Sequence, residues 1–286
     1  MSVTEATSPR PVGRAIRGPA AVGGEWRRLL RLTRLLAVTD FRLRFFGSVL
    51  GYVWQVMHPL LLFGVLYVVF TEVVRLGEGV ELYPVALLAG VVLFVFLSES
   101  TSQSVSSLIE REPIVRKIQF PRLAVPLSIV LTALFRLALN LLVVFVFLLI
   151  SGGEVRLSWL ELPLLLALMV VLAAGLAALL SALYVHFRDV KPIWDVLLQV
   201  IFYATPIFYP ITIVKSETLR EVLMLNPFAA ILQQFRHAVI APSHPSAAEA
   251  IGGGIRLLIP LGLIVLIAVV GFRYFDRKAP RIAEEL

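Results

Sequence analysis

Cysteine is absent from all 286 residues. That removes disulfide staples and thiolate metal sites, and it leaves the compartment open. Charge is scarce too: 16% of residues are charged, 59% are hydrophobic, and the mean hydropathy is +0.90. A soluble domain carries about 45–50% apolar and about 25% charged residues, so this chain has too little polar surface to cover a soluble globule. Catalytic signatures are missing as well. No GxxxxGK[ST] loop is present to cradle ATP phosphates, and no GxSxG elbow presents a nucleophile. The four histidines, His58, His186, His237 and His244, stand apart without metal-ligand spacing. The expectation is a chain that is not an enzyme and carries no cofactor or metal of its own. Energy for any active process would come from a partner or an ion gradient. Ion-coupled carriers place several carboxylates inside their spans, and here only Glu99 and Asp195 qualify.

What the chain does have is long apolar runs. A helix needs about 20 residues to cross the hydrocarbon, and six stretches reach that scale: 52–74, 84–106, 123–150, 160–185, 193–211 and 255–275. The fifth is short, contains Asp195 and Gln199, and is bent by Pro206. Ahead of them, residues 1–24 are rich in Pro, Gly, Arg, Ser and Thr and read as a disordered tail. Residues 25–48 alternate apolar positions (Trp26, Leu29, Leu32, Leu36, Phe41) with Arg27, Arg28, Arg31, Arg34, Arg42 and Arg44, the pattern of a basic amphipathic helix in the membrane interface. The first apolar run starts too late and is too long for a cleaved signal. The expected fold is an all-α integral membrane protein: six spans within 49–276, an interface helix, and a tail at 277–286.

The net charge of +7 is massed beside the spans, which sets topology and meets anionic lipid; no stacking platform for nucleic acid accompanies it. Lys and Arg crowd the N-terminal region, the 107–122 and 186–192 loops and the C-terminal end, and thin out in the other connections. Both termini are therefore expected in the cytoplasm. The 75–83 and 151–159 connections are short. The long 212–254 connection holds two helical stretches, Glu217–Leu225 and Pro227–Ile240, separated by Asn226-Pro227. They read as short re-entrant helices dipping into the outer bilayer, or as an ordinary surface hairpin.

Two sets of intramembrane polar residues stand out. Ser98 to Ser104 (SESTSQS) are too polar to face lipid on all sides; they serve either close helix packing or a wetted transport path. Arg136 lies about 20 Å into the third span, with Asn140 one turn on. Glu99 reaches a similar depth on the neighbouring antiparallel span, so a buried Glu99–Arg136 charge pair is expected.

The segment 40–61, DFRLRFFGSVLGYVWQVMHPLL, resembles the opening of ABC-2 type permeases that export cell-surface polysaccharides, the O-antigen and teichoic-acid exporters. Asp40, Arg42, Arg44, Ser48, Leu50, Gly51, Trp54, Pro59 and Leu60 carry the pattern. Phe45-Phe46 stands where many relatives have a tyrosine and further basic residues. HFRDVKPIWDVLLQVIFYATPIFYP (186–210) and LNPFAAILQQFRHAV (225–239) resemble two further family segments, in the same order.

The resemblance implies a homodimer of permeases in the bacterial plasma membrane, paired with two nucleotide-binding ATPase subunits that hold ATP and Mg. It implies a polyprenyl-linked glycan passing through a channel at the permease dimer interface. Phe202, Tyr203, Phe208 and Tyr209 then become channel candidates, with Tyr52 and Trp54 at the cytoplasmic entrance; the plain alternative is interfacial anchoring. Glu110, Arg111, Glu112, Arg116 and Lys117 form a short charged connection that suits an ATPase cleft, and Arg188 with Asp189 forms a second contact. A permease for a drug or small lipid is the alternative within the class. A stand-alone ion-coupled carrier or membrane scaffold is the alternative outside it.

Overall fold

The computed structural model describes residues 26–45, 49–117, 121–280 and 282; the expected disordered tail, 1–24, lies outside them. Among the described residues every regular element is helical. Four helices are long and apolar enough to cross a membrane. They are α3 (Tyr83–Glu110), α5 (Ala124–Ile150), α6 (Leu162–His186, entered through a 3-10 turn at Leu157–Glu161) and α11 (Leu258–Lys278, entered through Gly254–Leu257).

The first and fifth candidates differ. Residues 52–74 are helical within α2 (Val49–Tyr67) and its π-helical continuation Val68–Val73, but the described apolar stretch, Met57–Val73, is short of a full span. The fifth, expected over 193–211, is helical only as α7 (Val190–Ala204), which at about 1.5 Å per residue is about 22 Å long. It stops because Thr205 turns extended, the conformation that a following proline imposes on the residue before it.

The remaining helices are α1 (Trp26–Phe45), α4 (Glu112–Lys117), α8 (Glu217–Met224), α9 (Pro227–Phe235, continued as a π turn over Arg236–Ile240) and α10 (Ala247–Ala250). Their ends are set locally. Ser216 caps α8 and Asn226 caps α9, whose Pro227 stands at the first turn, where no N–H is needed. Ser246 and Glu249 close a reciprocal capping box on α10.

α3 is innermost. Most of its length is buried between α5, α6, α2 and α7, and it supplies the largest block of the main core. α1 lies along α5, burying Leu29, Thr33 and Ala37 at four-residue spacing while Trp26, Leu30, Leu35 and Leu43 stay exposed. The connections gather at two ends. Leu29, Val115, Leu123, Val185, Phe275 and Ile282 share one cluster, and the buried Arg122 there donates to the Ala279 carbonyl at the end of α11. At the opposite end, Arg156, Ser158 and Trp159 donate to the carbonyls of Ile240, Ala238 and Val239 at 2.6, 2.5 and 3.1 Å. Those bonds occupy the carbonyls that the π turn leaves unpaired. α9 is accordingly no surface hairpin: Phe228, Ile231, Leu232 and Phe235 are buried, while α8 buries only Met224.

α11 touches the bundle mainly through α6, at a crossing of bare backbones. A Cβ on Gly271 would collide with the Gly175 carbonyl oxygen, and one on Gly175 would stand 2.6 Å from the Cα of Ala268. Small residues at such crossings let helices approach closely enough for dispersion to hold them in lipid. Gly271→Leu is expected to prise α11 from α6, costing about 1–3 kcal/mol and lowering the unfolding temperature of the detergent-solubilised chain. Gly262→Ala on the same helix, where a Cβ meets nothing within 4 Å, should leave it unchanged.

Candidate functional site

Helical geometry sorts the polar run of α3 onto separate faces. Ser98 and Ser102 turn toward α7, where the Ser102 hydroxyl donates to the Asp195 carboxylate at 3.0 Å. Glu99 and Gln103, offset by one position, turn toward α5. There the Arg136 guanidinium meets Glu99 at 2.8 Å and donates to the Gln103 amide oxygen at 3.4 Å. Asn140 donates to the Arg136 backbone carbonyl at 3.1 Å. Thr101 accepts from the Trp194 indole at 3.0 Å. Ser100, Ser104 and Ser107 donate to carbonyls of their own helix. Packing and polar lining, the two readings of this run, therefore fall on different residues of it.

Between α2, α3 and α7 lies a groove of about 480 Å³ lined by Leu62, Phe94, Ser98, Ser102, Asp195, Leu198, Gln199, Phe202 and Tyr203. It combines aromatic faces with hydroxyl, amide and carboxylate groups, the mixture that takes a sugar: apolar ring faces against aromatics, hydroxyls against acceptors and donors. Phe202, Tyr203, Phe208 and Tyr209 form one chain of rings, with centroids of successive pairs 5.2–6.1 Å apart. Phe94 joins Phe202 at 4.9 Å and Phe70 stacks on Phe208 at 4.6 Å. Neither Phe70 nor Phe94 is marked out in the sequence, because both sit inside apolar runs where aromatics are ordinary. Trp54 is 66% exposed but lies roughly 24 Å along the helix from Phe70, away from this cluster. The side chains of Tyr52, Arg116 and Lys117 lie outside the described residues.

The charged connections sit at the other end. Glu110 accepts from the Ser106 hydroxyl at 2.6 Å, and Arg111 pairs with Asp40 of α1, so these two are partly engaged within the chain. Glu112 opens α4 and is half-buried. Arg188 and Asp189 are exposed in the turn between α6 and α7, with the Arg188 guanidinium 5.3 Å over the Tyr184 ring. α7 thus runs from this exposed turn, past the groove, to the aromatic cluster.

Beyond α7, buried Arg236 holds the non-helical stretch. Its guanidinium donates to the Ile207 carbonyl at 2.6 Å and the Ala86 carbonyl at 3.4 Å, and Asn226 donates to the Thr205 hydroxyl at 3.0 Å. Nearby, burial and the adjacent Arg236 charge push His244 down to about 4, against a weaker opposing pull from Glu81. His244 is neutral in this site; its Nε2 donates to the Glu81 carbonyl at 3.1 Å, and its own carbonyl accepts from His237 Nδ1 at 2.7 Å.

These features are those of a membrane-embedded helical bundle with a lined groove, and the family match makes the chain a membrane transport subunit. The ABC-2 type transporter family profile matches residues 31–240, and the chain belongs to that family. Among its relatives, an O-antigen export system permease protein RfbA of Klebsiella pneumoniae is 29% identical over 259 residues, 90% of this chain and 96% of the relative. A second from the same organism is 27% identical over 263 residues, with the same shares. The RfbA protein of Myxococcus xanthus is 27% identical over 202 residues, 70% of this chain and 77% of its own length.

Two outcomes are expected. Arg136→Ala strands the Glu99 carboxylate and should destabilise the chain by about 3–5 kcal/mol; the double variant Glu99→Ala, Arg136→Ala should recover part of that in chemical unfolding. Simple additivity would show the pair to be uncoupled. For His244, the unfolded chain takes up a proton near pH 6.5 and the folded chain only near 4. Its contribution to stability is therefore complete above about pH 6.5 and is lost as pH falls toward 4. The melting temperature should drop between pH 7 and 4.5, and drop less in His244→Gln.

Proposed function

We propose that this chain is the membrane permease of an ATP-driven exporter of lipid-linked O-antigen polysaccharide in a bacterial inner membrane. The observation that carries the reading is the alignment with O-antigen export permeases over nearly their whole length, 96% for both Klebsiella proteins. The groove supports it: its aromatic and polar lining suits sugar rings better than a wholly apolar drug or lipid. In this reading both termini are cytoplasmic and there are six crossings, α2 and α7 with its non-helical extension completing the four long spans. Irregular backbone at membrane depth is tolerated where protein buries it, which is the setting Arg236 provides for Ile207.

Two copies pair so that their grooves face one another and make the channel, with two ATPase subunits supplying ATP, Mg and hydrolysis. Glu110, Arg111, Glu112, Arg116 and Lys117, with Arg188 and Asp189, dock those subunits. α7 carries their movement to the aromatic cluster of Phe202, Tyr203, Phe208 and Tyr209. The re-entrant pair α8 and α9 closes the outer mouth until polymer displaces it, a two-state change driven by tighter binding to the open form.

Deleting the gene in its host should remove O-antigen from the cell surface while lipid-linked polymer accumulates inside. A copy carrying Phe202→Ala and Tyr203→Ala should restore surface polymer several-fold less well than wild type at equal abundance in the membrane. Unchanged surface polymer in the deletion strain, together with new sensitivity to a small amphiphile, would replace this reading with export of a drug or small lipid.

A further inference from the structure

At the α8–α9 end, the turns near Glu81 and Thr212 and the residues following α9 enclose a cavity of about 340 Å³. At liquid density that is room for about ten waters, far more than one bridging water needs. Its polar lining comes from Glu81, Tyr83, Thr212, Gln233, Arg236, Ser243 and His244. Most of these groups are paired with one another or with backbone. The Ser243 hydroxyl donates to the Glu81 carboxylate at 2.6 Å, and Gln233 Nε2 donates to the Pro245 carbonyl at 2.6 Å.

Arg236 is bonded as well, but its charge is not balanced. It is 3% exposed, and both of its hydrogen bonds run from Nη2 to neutral carbonyls. Its Nε makes no hydrogen bond. Among the described residues no carboxylate lies within ion-pairing distance of it. The nearest lining carboxylate, Glu81, is on the exposed rim and is held by Ser243. A guanidinium offers five N–H donors and cannot shed its charge at neutral pH. Burying it without an anion is unfavourable. The acceptor atom of Gln233, its Oε1, is likewise buried without a partner. The wall therefore has an uncompensated positive charge beside a space larger than its two bonds require, with two further polar atoms unmet behind the cavity surface.

We infer that this cavity is an anion site, in which Arg236 receives one carboxylate or phosphate group of a small hydroxyl-bearing ligand. Thr212, exposed on the same wall, suits a hydroxyl of the same ligand. That chemistry has two sources, an acidic sugar and the phosphate of a glycerol-containing lipid headgroup. The inference goes beyond the export reading and stands without it, since binding to the isolated chain tests it.

The full chain, in an uncharged detergent free of phosphate, would be titrated by calorimetry with glucuronate, inorganic phosphate and glucose. Glucuronate and phosphate should bind saturably and at least about tenfold more tightly than glucose. Arg236→Gln should abolish that preference. Because Arg236 also holds Ile207, Thr212→Asp is the stricter variant: Thr212 is exposed on the cavity wall, and a carboxylate there repels anions while leaving the Arg236 bonds intact. It should weaken glucuronate by at least about tenfold at an unchanged melting temperature. Adding short-chain phosphatidylglycerol separates the sources. Displacement of glucuronate marks the lipid headgroup as an occupant, and undiminished glucuronate binding marks the sugar acid. Glucose binding as tightly as glucuronate, or Thr212→Asp binding glucuronate like wild type, would overturn the site.

Discussion

The α8–α9 end of this protein depends on one buried guanidinium. α7 is too short to cross a bilayer, and the chain beyond Ala204 leaves the helix with carbonyls that have no intrahelical donor. In hydrocarbon an unpaired backbone carbonyl costs several kcal/mol, so the break survives only where protein supplies donors. Arg236 does so for Ile207, and the same amino group reaches Ala86 on α3. One side chain thereby ties the end of α7, the innermost span and the π turn after α9 into a single unit. Asn226 reinforces it by capping α9 with its side-chain oxygen while its amide nitrogen donates to Thr205.

The same rule shapes the middle of the bundle. α3 is rich in hydroxyls, and a helix so polar is tolerated in a bilayer only if each group finds an acceptor. Some return to their own backbone, which removes them from any transport role. Those on the α7 face do not all do so: Ser102 reaches Asp195 beside the aromatic rings. On the α5 face the Glu99 carboxylate neutralises Arg136 and the Gln103 oxygen accepts from it. One seven-residue polar run thus becomes a packing surface, a buried charge pair and one wall of a groove, depending only on which way each residue points.

α7 has a slight hold on the core, burying only Trp194 and Leu198. Polar bonds to Thr101 and Ser102 and the ring contacts of Phe202 fix it in place. A helix anchored by a few directional bonds has fewer apolar contacts to break when it moves than one packed along its whole face, as α3 is. That contrast makes α3 the firmly packed centre and α7 a lightly packed flank, lying between the exposed Arg188–Asp189 turn and the α8–α9 end.

The amino-acid sequence by itself determined the class and the local detail. Long apolar runs required membrane helices, because barrel strands are shorter and alternate apolar with polar residues. The Lys and Arg bias divided the connections into two groups, and in the structure the connections gather at two ends accordingly. Asn226-Pro227 marked the break between two helices, and the structure caps the second of them with the Asn226 side chain; Pro206, expected only to bend the fifth span, is where α7 has already stopped. These signals act within a few residues. Only the tertiary structure decided which residues meet across the chain. Arg236 finds carbonyls 29 and 150 positions away, Phe70 and Phe94 enter the aromatic cluster from two other helices, and Gly175 meets Gly271. Nothing in local periodicity encodes such partners: an arginine near a helix end, a phenylalanine in an apolar run and a glycine in a span look alike whether they face lipid or a neighbour. Helix packing chooses among those faces, and it depends on all the spans at once.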